Sequence, residues 1–73
     1  MKSVRLKNKY EYEYGVLGPD GRMHAWCSGW EAARADLYNC TYNFPGSEIV
    51  RLEQDDDAPN DYPDVSIIYK ADE

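Results

Sequence analysis

The sequence predicts an α+β domain of order ββαββ, in which one helix packs on one face of an antiparallel sheet of three to four strands. Two periodic patterns and one turn motif carry this prediction. Tyrosine and valine at positions 10, 12, 14 and 16 alternate at period two with the charged residues at positions 7, 9, 11 and 13, and apolar residues recur at helical spacing over residues 30–40. Gly18-Pro19-Asp20-Gly21 lies between the patterns as a turn motif. At 73 residues, the chain is expected to form a single domain over residues 1–73.

Residues 4–17 are predicted to form one long first strand, and the turn at 18–21 closes a hairpin with a second strand. A register that pairs Leu17 with Arg22 sets Tyr14 opposite Ala25 and Tyr12 opposite Cys27. The tyrosines then share the inner face with the second strand's small and apolar residues, and the outer face receives Arg22, His24 and Trp26.

A helix is predicted from Gly29 to Asn39 or Cys40. Ser28 and Glu31 have the spacing of a capping box, and Pro45-Gly46 ends the segment. The stripe that faces the sheet consists of Trp30, Ala33, Leu37 and Cys40.

The rest of the chain is predicted to contain two further strands, at 47–53 and 65–70. The segment 54–64 between them reads as an acidic loop. Residues 1–3 and 71–73 are expected to be frayed.

The net charge of −6 is unevenly distributed. Residues 1–9 carry four basic side chains and no acid, whereas residues 10–73 carry all fourteen acids and four basic side chains. An acidic body argues against direct nucleic-acid binding and against docking on anionic membranes. It suits solubility, attraction of a basic partner or imitation of DNA. With no apolar run of signal or membrane length, a cytoplasmic location with reduced cysteines is expected.

Catalytic chemistry is not expected. His24 is the only histidine, and Cys27, three residues further along a strand, should point to the opposite face. Cys27 and Cys40 flank a helix of roughly 16 Å, whereas disulfide partners need Cα atoms within about 7 Å. The chain is therefore predicted not to be an enzyme and to need no cofactor.

The acidic loop offers the carboxylates of a candidate metal site: Asp55, Asp56, Asp57 and Asp61. A calcium loop of the EF-hand type fails here at three positions, which hold Pro59, Asn60 and Ser66. Weak metal binding stays open as a second alternative function.

Trp26 is the first candidate for binding a partner, with His24 and Arg22 beside it on the outer face. The competing interpretation is that Trp26 packs against the N-terminal residues or the last loop. The second candidate surface is the acidic loop, where Asp55, Asp56, Asp57 and Asp61 accompany Tyr62.

Four short stretches carry a family resemblance: Tyr14-Gly15-Val16, Pro19-Asp20-Gly21, Ser28, and Glu31-Ala32-Ala33. Over roughly residues 10–37 the chain resembles small uncharacterised proteins encoded by bacteriophages, particularly those of actinobacteria. The resemblance implies a phage or mobile-element accessory protein. Such proteins often bind and disable a host protein.

The function expected from the sequence is a non-enzymatic protein–protein interaction module that binds and modulates a host protein in the host cytoplasm. The alternative is an acidic DNA mimic that blocks the basic groove of a nucleic-acid-binding or defence protein. Free edge strands also permit a homodimer.

Overall fold

The computed structural model describes residues 1–7 and 12–57. Its elements are β1 (Ser3–Leu6), β2 (Tyr14–Leu17), β3 (Met23–Cys27), α1 (Trp30–Asn43) and β4 (Glu48–Gln54). The four strands form one sheet of order β1-β4-β2-β3, and α1 packs against β2, β3 and β4. The α+β class is confirmed. The predicted strand at 65–70 lies outside the described residues.

The sheet is mixed, so the prediction of an antiparallel sheet is wrong in one pairing. β4 runs parallel to β1 and antiparallel to β2, and it lies between them. The chain therefore reverses direction between Leu6 and Tyr14, and the predicted single strand over residues 4–17 is two strands. The alternation did not show this break because Val4 and Leu6 have the same parity as the tyrosines. The pairing with β4 also holds residues 2 and 3, which were expected to be frayed: Arg51 N donates to Lys2 O at 2.8 Å.

The predicted hairpin between β2 and β3 is confirmed, with a different register. Gly18 N donates to Arg22 O at 2.8 Å, and Gly21 takes the positive φ of 80° that the turn needs. Tyr14 lies opposite Cys27, two residues from the predicted pairing. Because this shift is even, the two residues still share a face as predicted. A bulge between Val16 and Leu17 then changes the face of the residues nearer the turn.

The sheet carries apolar side chains on both faces. On the face toward α1, Val16 and Cys27 are buried, as is Ala33 of the helix, and Tyr14 contacts Trp30 edge to face at 5.4 Å between centroids. The larger cluster lies on the other face: Val4, Leu6, Leu17, Val50 and Leu52, with Tyr12, Met23 and Trp26 packed against it. The predicted inner and outer faces therefore both contribute to the core.

The helix begins one residue later and ends three to four residues later than predicted. Gly29 is the N-cap, Ala33 N donates to Gly29 O at 3.0 Å, and there is no side-chain capping bond. The predicted capping box of Ser28 and Glu31 is therefore wrong. Phe44 is the C-cap, directly before Pro45, the first residue that cannot extend the helix. No helix within residues 1–7 and 12–57 has the length and apolar content needed to span a bilayer.

Candidate binding surfaces

Trp26 faces away from α1, as predicted, but it does not protrude. It lies opposite Gly15, is half-buried, and packs against the cluster that contains Val4 and Leu6. Its ring centroid is 6.4 Å from that of Tyr12. Its half-burial comes from this packing; β3, which carries Trp26, and β1, which carries the N-terminal residues, are the two edge strands of the sheet. Trp26 therefore belongs to the edge of the core.

Gly15, which lies opposite Trp26, leaves room for the side chain of Met23. A Cβ added at Gly15 would lie 2.5 Å from Met23 Sδ, which is far inside van der Waals contact. A larger residue opposite Trp26 would therefore have to displace the end of the Met23 side chain.

His24 lies apart from Trp26, because the bulge directs it toward the C-terminal end of α1. Its ring stacks on Phe44 at 4.0 Å between centroids, with 15° between the planes. Its Nε2 is 3.2 Å from Asp20 Oδ1, which also accepts the backbone N–H of Arg22 at 3.0 Å. The Arg22 N–H, followed by His24, lowers the pKa of Asp20. The predicted trio is thus divided: the His24 ring and the backbone N–H of Arg22 share Asp20 at the turn, whereas Trp26 packs against the buried cluster.

The acidic loop is described only as far as Asp57, and there its carboxylates close a local turn. Asp57 N donates to Asp55 Oδ1 at 3.0 Å, and Gln54 Nε2 donates to Asp56 Oδ1 at 2.8 Å. Asp61 and Tyr62 lie outside the described residues. In the part of the chain that the structure describes, no cluster of three or more His, Cys, Asp or Glu side chains is suited to a metal ion.

Cys27 and Asp36 form a part-buried contact between β3 and α1. Cys27 Sγ donates to Asp36 Oδ2 at 3.1 Å. Burial, and then the neighbouring carboxylate, raise the pKa of Cys27 to about 12. Burial and Asp36 also raise the pKa of Cys40. Both cysteines are free thiols, and a raised pKa makes a thiol a poor nucleophile.

One flank of α1, from the half-buried Leu37 to the exposed Tyr42, presents a surface that the sequence reasoning missed. A shallow groove of about 480 Å³ runs along it, lined by Arg34, Leu37, Tyr38, Thr41 and Tyr42; we call these residues the aromatic helix face. Tyr38 is 76% exposed and Tyr42 is 85% exposed. The signal was present in the sequence, because Trp30, Arg34, Tyr38 and Tyr42 recur every four residues. It was overlooked because the helix was predicted to end at Asn39 or Cys40.

The two ends of the aromatic helix face differ in charge. Toward the N-terminus of α1, Arg34 is exposed and forms no ion pair with any described residue. Toward the C-terminus, the last turn holds no basic residue, so no cationic side chain there offsets the partial negative charge of the helix end. The face is therefore cationic at one end and electron-rich at the other.

No protein-family model, curated protein or solved structure matches this chain.

Proposed function

We propose that this chain is a non-enzymatic protein-interaction module whose aromatic helix face binds an arginine- or lysine-bearing segment of a target protein. The proposal rests on one observation: Tyr38 and Tyr42 are exposed on one side of α1, where they line a groove. Tyrosine and arginine are enriched among the residues that dominate binding energy at protein interfaces. A tyrosine loses little conformational entropy on binding, and it offers both apolar area and a hydroxyl group.

The charge of the chain supports a basic target. A net charge of −6 attracts a positively charged protein at long range. At short range, a guanidinium or ammonium group gains a cation–π contact on the ring of Tyr38 or Tyr42. The C-terminal end of α1 adds its partial negative charge close to Tyr42. Together these features favour a cation at the C-terminal half of the groove.

A DNA mimic needs rows of exposed carboxylates that are not paired within the protein. Several described carboxylates have local partners instead: Glu48 accepts Lys2 at 3.0 Å, Glu53 lies 3.7 Å from Arg5, and Asp20 holds the hairpin turn. These contacts favour protein binding over imitation of a polyanion. The resemblance to phage-encoded proteins supports a bacterial host protein as the target, met in the host cytoplasm.

The test uses a defined peptide probe in place of the unidentified target. A short amphipathic helical peptide that carries leucines and arginines on one side is titrated into the ¹⁵N-labelled protein and followed by amide chemical shifts. We expect shifts at Tyr38, Thr41 and Tyr42, and at least about threefold weaker binding after Tyr38→Ala or Tyr42→Ala. Asn39→Ala, an exposed change on α1 outside the aromatic helix face, is the matched control and should bind normally.

A twin peptide with glutamate in place of arginine decides the charge preference. It should bind at least about tenfold more weakly than the arginine peptide. Equal binding of the twins, or shifts confined to another part of the protein, would reject the proposal.

A further inference from the structure

We infer that, in the protein without its target, a second copy of this chain occupies the aromatic helix face through antiparallel pairing of the two α1 helices. The inference rests on the proposed function, because Arg34 of the second copy takes the place of the target's cation. It also goes further, since it states how the face is covered between encounters with the target.

The regular spacing of Arg34, Tyr38 and Tyr42 makes the face complementary to itself. Arg34, Tyr38 and Tyr42 are four residues apart and lie along one side of α1. A two-fold axis through Tyr38 sets two such helices antiparallel and places Arg34 of each copy against Tyr42 of the other. The two Tyr38 rings then meet on the axis. This is the geometry of an isologous interface, in which the same contact is made twice.

The local charges fit the same arrangement, while the net charge of −6 on each copy opposes it at long range. Arg34 is exposed and forms no ion pair among the described residues, and a planar guanidinium stacks well on an aromatic ring. Antiparallel pairing brings it to Tyr42 of the second copy, near a helix end whose last turn has no basic side chain. The two helix dipoles also oppose each other, which is favourable.

The small buried area limits the stability of the dimer. A helix of 14 residues is about 21 Å long, so two such helices bury less than the roughly 1,600 Å² of a standard interface. We therefore expect a weak, concentration-dependent dimer that a better-fitting target displaces. Self-pairing would then regulate how much of the face is available.

Sedimentation equilibrium with a charge exchange tests the pairing. Arg34→Glu and Tyr42→Lys should each weaken self-association at least about tenfold, because each breaks both symmetric contacts. An equimolar mixture of the two variants should restore the dimer. In that heterodimer the introduced Glu and Lys form one contact, and the native Arg34–Tyr42 pair forms the other. Ala32→Glu and Asn39→Lys introduce the same new charges outside the face and should leave the dimer intact.

Tyr38→Cys provides a second readout that does not depend on charge. Because position 38 lies on the two-fold axis, oxidised glutathione should join two copies through a disulfide between the new cysteines, identified by peptide mass mapping. A protein that stays monomeric at millimolar concentration, or a mixture that fails to associate while both controls do, would overturn the inference. If the arginine peptide binds such a monomer, the proposed function stands and only the self-pairing is lost. If the protein dimerises but the arginine peptide does not bind, the proposed target chemistry is lost instead.

Discussion

Cys27 Sγ donates a hydrogen bond to Asp36 Oδ2 at 3.1 Å and so joins the end of β3 to the middle of α1. The contact explains why a charged residue lies on the sheet side of the helix. It also protects the thiol, because burial and the carboxylate both favour the protonated form.

The first prediction is that native Cys27 resists alkylation. With a pKa of about 12, roughly one thiol in ten thousand is ionised near pH 8, and iodoacetamide reacts with the thiolate. Cys27 should stay unmodified in the folded protein and react fully in urea, as measured by peptide mass spectrometry. Asp36→Asn should speed the native reaction by several-fold. Equal native rates in the two proteins would contradict a role for the carboxylate.

The second prediction concerns alkaline pH. The folded state keeps the Cys27 proton up to a pKa of about 12, whereas the unfolded chain releases it near the ordinary pKa of 9.0. Stability from this group is therefore complete below about pH 9 and is lost as the pH rises toward about 12. The stability difference between the wild type and Cys27→Ala should shrink over this range in urea titrations. A constant difference would show that the thiol is not responsible.

The third prediction tests the close approach at Gly15. Gly15→Ala should lower the free energy of unfolding by about 1–3 kcal/mol, because the new methyl group would displace Met23 from its place beside Leu17. Gly29→Ala is the control: its Cβ meets no atom within 4 Å, and it should cost less than about 1 kcal/mol. Urea unfolding followed by tryptophan fluorescence measures both. A loss of the same size for both variants would argue against the steric explanation.

The fourth prediction concerns acid. The Arg22 N–H and His24 lower the pKa of Asp20, so its contribution to stability is present above the ordinary value of 3.8 and disappears as the pH falls through the lowered value. Thermal unfolding from about pH 6 down to about pH 2 should show a flatter acid limb for Asp20→Asn than for the wild type. Parallel curves would remove Asp20 from the acid response.

The fifth prediction separates the core from the binding face. Leu6→Ala should cost about 2–5 kcal/mol, although Leu6 lies on the sheet face opposite α1, because its side chain is fully buried in the larger cluster. Tyr42→Ala should change stability by less than about 0.5 kcal/mol. The two variants can be compared by chemical denaturation. A severe loss from Tyr42→Ala would mean that this side chain supports the fold and not a partner.

Local signals in the sequence predicted local structure well. The turn at 18–21, the strand at 47–53 and the helix that follows β3 all depend on neighbouring residues, and the structure places a turn, β4 and α1 there. The capping box failed because the chain leaves β3 in an extended conformation that makes Gly29, not Ser28, the N-cap. Sequence spacing alone does not reveal which of two adjacent residues adopts the cap geometry.

Non-local features could not be predicted from periodicity. Val4 and Leu6 continue the alternation of the tyrosines, so nothing in the pattern shows that they pair with β4 instead of extending β2. At the bulge beside Val16, Val16 pairs with Ala25 and Leu17 pairs with Met23, so that His24 is the extra residue of β3. His24 therefore stacks on Phe44, and the two main residues of the predicted binding surface, His24 and Trp26, are separated. The aromatic helix face was missed for a simpler reason, since its last members lie beyond the predicted end of the helix.

The position of β4 has a consequence for how the protein is made. β4 comes after the other described strands in the chain, yet it lies between β1 and β2 and pairs with both. During synthesis the β2–β3 hairpin and α1 can form from contacts near in sequence. β1 cannot pair with β4 until residues 48–54 have left the ribosome. Contacts between residues so far apart slow folding. The N-terminal strand should therefore be the last of the described strands to find its place and the one most accessible to proteases on the nascent chain.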